Sequence, residues 1–108
     1  MGHLAYEQFR TLYFSQTDDR ILHEGVWSGT ATEVDVPFPE IFRTAVAINT
    51  GFLIFVHNHP SGDPQPSRQD VELTRKLHGI CKQLDLPLYD HIIIARDRWF
   101  SFLDQRLL

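Results

Sequence analysis

The stretch FVHNHPSGDPQPSRQD, residues 55–70, places His57 and His59 two positions apart at the end of an apolar run. If the extended conformation of that run persists through them, both imidazoles leave one face with Cα atoms about 6.6 Å apart. Two imidazoles so placed can converge on one ion. Zinc accepts neutral histidine nitrogens together with a carboxylate, and a catalytic zinc keeps one position for water. A carboxylate within reach is the next requirement. The competing reading is a strand end with two hydrogen-bonded histidines, and spacing alone leaves both open.

Asp63 and Asp70 are the nearby carboxylates. Asp63 sits in SGDP, which is ordinary turn chemistry. Asp70 precedes Leu77 by two helical turns on the same stripe, so it faces the core side of a helix. A buried aspartate needs a partner, because an unpaired charge is costly there. Asp70 is therefore the better ligand. Ser67 and Asp70 also form S-x-x-D ahead of an apolar run, close to a capping box. A capping hydroxyl accepts a backbone N–H through its oxygen and keeps its own hydrogen free, so Ser67 can also hydrogen-bond a developing oxyanion. Three prolines and Gly62 stiffen the intervening loop, which suits ligands that must stay aimed.

The elements that must carry these residues follow from hydrophobic spacing. Residues 6–15 and 20–28 read as a strand pair around the turn QTDD. PFPEIFRTAVAIN, residues 37–49, reads as a helix with prolines near its start and Gly51 as its stop. FLIFV, residues 52–56, is apolar on both parities and predicts a central strand covered on two faces. Residues 67–86 predict an amphipathic helix carrying Leu73, Leu77, Ile80, Cys81 and Leu84 on one stripe, stopped by Pro87. Residues 88–102 predict two strands meeting at ARDR. The order β-β-α-β-α-β-β gives an α/β fold, a mixed sheet flanked by helices that could cover both faces.

With 108 residues, 43% of them hydrophobic, one domain over 1–108 with a real core is expected. Ten basic against 14 acidic residues, net −4, leave no electrostatic footprint for nucleic acid. The single cysteine allows no internal disulfide, and MGHLAYEQF resembles no secretory signal. No apolar run approaches the roughly 20 residues of a membrane span. A soluble, cytoplasmic protein is expected.

Other candidates read as structural. Cys81 lies on the apolar helix stripe as a core residue, and His78 falls off it. His91 reads as a hydrogen-bonding residue within the sheet, with contact to the metal site as the alternative. His23 and Trp27 share a strand parity without an evident partner, and His3 is expected to be solvated.

The string His57-Asn58-His59-Pro60-Ser61-Gly62-Asp63-Pro64, then Pro66-Ser67, then Asp70, resembles the signature of the RadC family, whose core belongs to the JAMM/MPN metalloprotease superfamily. The chain is similar to that family also through EQF, PEIFRTAVAIN, DHIIIA and WFSF, so the likeness spans essentially its whole length. The resemblance implies a JAMM/MPN fold related to the cytidine-deaminase-like architecture, with Zn2+ held by His57, His59 and Asp70 and a water in fourth place. It implies a glutamate on an early strand as general acid/base, a position that fits Glu7, with Glu24 and Glu40 as fallbacks. It implies hydrolysis of a peptide, isopeptide or related amide in a substrate yet to be identified, with Ser67 at the oxyanion.

In the family a helix commonly precedes the glutamate strand, and RadC relatives often carry an upstream helix-hairpin-helix region. Six residues precede Glu7, so a short member or a core fragment is expected. The family's association with DNA repair leans on that region, and DNA binding is not carried over. The alternative is a metal-stabilised, catalytically silent interaction domain.

Overall fold

The computed structural model describes residues 1–31 and 35–108. Strands β1 (Gln8–Phe14) and β2 (Ile21–Ser28) form an antiparallel pair, as their aromatic and β-branched residues predict. Helix α1 (Phe38–Ala47), strand β3 (Phe52–Asn58), helix α2 (Arg68–Gln83) and strands β4 (Leu88–Ala95) and β5 (Arg98–Ser101) follow in the predicted order. The five strands make one mixed sheet in the order β2-β1-β3-β4-β5. β1 runs antiparallel to β2 and β3, β3 parallel to β4, and β4 antiparallel to β5. A parallel neighbour cannot be reached by a tight turn. Helix α2 supplies the crossover, so the end of β3 and the start of α2 are joined by the short loop 59–67.

Both helices pack on the same face of the sheet. Ile41, Phe42 and Ala45 of α1 and Leu73, Leu77 and Cys81 of α2 share one buried cluster with Phe9, Tyr13, Leu53 and Phe55 of the strands. Leu73 and Leu77 are 0% exposed, each contributing about 1.5–3 kcal/mol by leaving water. This corrects the expectation that β3 is covered on two faces. On its other side Phe14 stacks on Phe52 with ring centroids 4.7 Å apart, and Tyr89 leans on Phe52 at 5.5 Å. Rings lying across neighbouring strands shield that apolar parity, and Tyr89 stays 56% exposed.

The helix stops also differ from the sequence reading. α1 ends because Asn49 adopts φ 55°, with Thr50 N–H donating to Ala45 O at 3.0 Å and Asn49 N–H to Val46 O at 3.2 Å, so the stop is Asn49 and not Gly51. α2 ends likewise at Asp85, φ 51°, with Leu86 N–H donating to Cys81 O at 2.9 Å. Pro87 only follows that stop.

Candidate metal centre

Strand β3 extends two residues beyond its predicted end, so His57 and Asn58 remain in the sheet and His59 opens the loop. Gly62 turns that loop with φ 89°, and its N–H donates to His59 O at 3.1 Å. A side chain at this φ would be strained. The loop delivers the chain to Ser67, whose hydroxyl accepts from Asp70 N–H at 3.1 Å while Asp70 Oδ2 accepts from Ser67 N–H at 2.8 Å. The predicted capping box is thus formed in full. Asp70 sits in the first turn of α2, 3% exposed, turned to the core as its stripe position requires.

The side chains meet where strand end and helix start converge. His57 Nε2 lies 3.2 Å from His59 Nε2 and 3.1 Å from Asp70 Oδ1, and His59 Nε2 lies 3.0 Å from Asp70 Oδ2. Glu7 Oε1 is 3.8 Å from His57 Nε2. The ligand atoms of Glu7, His57 and His59 all fall within 4.8 Å of one another, a group that could hold a metal ion. Glu7 stands one residue before β1 and not within it, and just past the end of β2 Gly29 N–H donates to Glu7 O at 3.1 Å. The two fallback glutamates are elsewhere: Glu24 pairs with Arg10 at 2.7 Å, and Glu40 is exposed on α1.

Hydrogen-bond directions dictate which ring nitrogens are free. Thr74 Oγ1 donates its one hydrogen to Asp70 O at 2.7 Å. Towards His91 Nδ1, 2.6 Å away, the hydroxyl must therefore accept, which puts the hydrogen on His91 Nδ1. Complete burial, then the neighbouring His57, holds His91 well below the ordinary histidine range, so it is neutral. Its Nε2 then accepts from His57 Nδ1 at 2.7 Å, and His57 Nε2 is left with a lone pair. His59 Nδ1 faces Asp63 O at 2.9 Å, and a carbonyl only accepts, so His59 Nε2 is free as well. Two lone pairs and a carboxylate at 3.0–3.2 Å repel unless a cation lies among them.

In the metal-free chain a proton takes that role. The hydrogen bond to Asp70 raises His59 above its ordinary 6.5. Burial alone would raise Asp70, but its contacts with His57 and His59 outweigh it and hold the carboxyl well below its ordinary 3.8. Stability from the raised His59 is present below 6.5 and lost as pH rises through its folded value. Stability from the lowered Asp70 is present above 3.8 and lost as pH falls through its folded value. Melting temperatures of the metal-free protein are therefore expected to peak between 3.8 and 6.5 and to fall as the pH is raised above 6.5.

A sequence model of the RadC-like JAB domain matches residues 1–107. The chain belongs to the RadC-like JAB domain family. It is 40% identical over 102 residues to a UPF0758 protein of Ruegeria pomeroyi, covering 94% of this chain and 46% of the relative. A UPF0758 protein of Rhodobacter capsulatus is 38% identical over 108 residues, covering 100% of this chain and 50% of the relative. One from Chlorobaculum parvum is 45% identical over 96 residues, 88% of this chain and 43% of the relative. The chain spans about half the length of the curated relatives it matches. Among the described residues no helix of this RadC-like domain is long and apolar enough to cross a membrane.

The RadC-like site therefore gathers all five residues singled out in the sequence, with Glu7, Ser67, His59 and Asp70 lining a common cleft of about 270 Å³ with Thr30 and Gln69. Asp63 is turn chemistry as expected, its Oδ1 accepting from Gln65 N–H at 3.0 Å, although its carbonyl also fixes His59. His91 makes the expected hydrogen bond within the sheet, and its partner is His57 itself, so both readings of it meet in one contact: its ring joins His57 to Thr74 and stacks on Phe102 at 4.6 Å. Cys81 is core, its thiol pushed up to about 12 by burial. His23 lies against Tyr13 at 5.4 Å, and His3 pairs with Asp97 at 3.4 Å.

Thr74 was missed, yet a threonine on the buried stripe one turn after Asp70 is a legible signal. Thr74→Val removes the acceptor for His91 Nδ1–H. His91 can then move its hydrogen to Nε2, which forces one onto His57 Nε2 and blocks the lone pair. Metal affinity measured by competition titration is expected to fall about 10–100-fold, and Thr74→Ser to restore it.

Proposed function

We propose that this RadC-like domain is a zinc-dependent hydrolase that cleaves a peptide, isopeptide or related amide bond. The observation that carries the proposal is the convergence of three electron-rich groups, His57, His59 and Asp70, on one point beside a fourth, Glu7. Ligands of a tetrahedral zinc with bonds of about 2.0–2.1 Å lie about 3.3 Å apart. The separations of 3.0–3.2 Å among the two imidazoles and Asp70 fit that ion. Neutral nitrogen and carboxylate donors are the set zinc takes. A zinc ion bound there supplies hydroxide at neutral pH and polarises a carbonyl.

The protein's own residues do the rest. Glu7, at 3.8 Å from His57 and outside the tight trio, is the group placed to hold a water beside the ligands. It takes that water's proton and returns it to the leaving amine. Ser67 caps α2 through its oxygen, so its hydrogen is free to donate to the oxyanion. The cleft lined by Ser61, Ser67 and Gln69 offers polar groups to an extended backbone.

Elemental analysis of the purified protein tests the metal, and hydrolysis of amide and isopeptide substrates by wild type and Glu7→Gln tests the reaction. An ion bound without any turnover would instead favour a metal-stabilised interaction domain.

A further inference from the structure

Asn58 separates the two histidines and, by strand alternation, points away from both. It is 0% exposed. A buried carboxamide must find partners for its oxygen and its amide hydrogens, and those found here are specific. Oδ1 accepts from Gln8 N–H at 2.6 Å, and Nδ2 donates to Tyr6 O at 2.9 Å. Tyr6 O and Gln8 N belong to the two peptide groups that flank Glu7.

We propose that Asn58 is the positioning residue for Glu7: its carboxamide clamps the peptide groups on either side and so fixes where the Glu7 carboxylate lies relative to His57. Glu7 precedes the first residue of β1, where ladder bonds to β3 begin only at Phe9 opposite His57. Without the clamp, the Glu7 backbone is tied among the described residues by the bond from Gly29 N–H at 3.1 Å. A shift of about 1 Å at a reacting group can cost about 100-fold in rate. The tripeptide His57-Asn58-His59 then does two things at once. Its outer members face the ion, and its middle member, through the opposite face of the strand, sets the base beside them.

This inference rests on the proposed role of Glu7, and its test separates the two. Cobalt(II) serves as the probe, and its visible absorption is followed against pH. Glu7→Gln removes a negative charge next to the bound ion and is expected to move the midpoint by about 1 pH unit. Asn58→Ala is expected to bind cobalt with one-to-one stoichiometry and to move the midpoint in the same direction. The double variant is expected to move no further than Glu7→Gln alone. Asn58→Ser, neutral and too short to span both peptide groups, gives the same reading if Asn58→Ala does not fold. A wild-type midpoint in the Asn58 variants, or additive shifts in the double variant, overturns the Asn58 assignment and leaves the metal centre standing. Failure of the wild-type protein to take up cobalt overturns the metal centre, and the Asn58 role with it.

Discussion

Replacing Glu7 by Gln is expected to leave metal binding within a few-fold of wild type and to lower amide hydrolysis by about 10²–10⁴, the usual worth of a positioned general base. The split between the two readouts follows from geometry. Glu7 is 3.8 Å from His57 Nε2, whereas Asp70 reaches both imidazoles at 3.1 and 3.0 Å. The residue in hydrogen-bond contact with both rings is the one placed to be a ligand, and the one held further off is the one placed to move a proton. Gln keeps the length and polarity of the side chain but cannot take a proton at neutral pH. Steady-state kinetics should show the loss in kcat with little change in KM, because the base acts on the transition state and not on bound substrate. Equal loss of metal and of turnover would make Glu7 a ligand, and unchanged turnover would pass the role to another group.

The order of elements was legible because each segment carries its own periodicity, and the capping box was legible because Ser67 and Asp70 sit at fixed spacing before an apolar run. The same local logic placed Asp70 against the core, where it is 3% exposed. Three things were not legible, for physical reasons. An apolar run such as FLIFV reports burial on both parities but not what covers each, so ring stacking of Phe14 and Phe52 was read as a second helical layer. Helix stops depend on which residue accepts a positive φ, and Asn49 and Asp85 take it at 55° and 51° ahead of the more conspicuous Gly51 and Pro87. The groups that fix tautomers and orient Glu7 come together only through sheet register: His91 opposite Phe55 places its ring next to His57, and β1 alongside β3 brings Gln8 N–H onto Asn58. Such pairings join residues about fifty apart in the chain, Gln8 to Asn58, or on different elements, which a local pattern cannot show. The proposed ligands could be read from spacing and family likeness, whereas their supports required the fold.

Asp70 caps the helix and is the proposed third metal ligand, and a substitution can separate the two roles. In Asp70→Asn a carboxamide oxygen can still accept from Ser67 N–H, now 2.8 Å from Oδ2, so the cap of α2 survives. The amide nitrogen then donates to the imidazole cluster, satisfying a lone pair that the metal would otherwise take, and the side chain carries no charge. Zinc affinity is expected to fall at least about 100-fold, beyond the range seen when only an outer partner of a ligand is lost. His59→Ala should do the same through loss of a nitrogen donor. The consequence for stability is measurable without a substrate. A ligand that binds only the folded chain at a hundred times its Kd adds about 2.7 kcal/mol, which for a domain of this size raises Tm by roughly 10–20 °C. Wild type should show that rise on adding zinc, and Asp70→Asn should melt at one temperature with zinc or without it. Because zinc must displace the proton that His59 holds above its ordinary 6.5, the rise should shrink as the pH is lowered through that range. An equal zinc shift in wild type and Asp70→Asn would place the ion elsewhere on the surface, and with it the reaction.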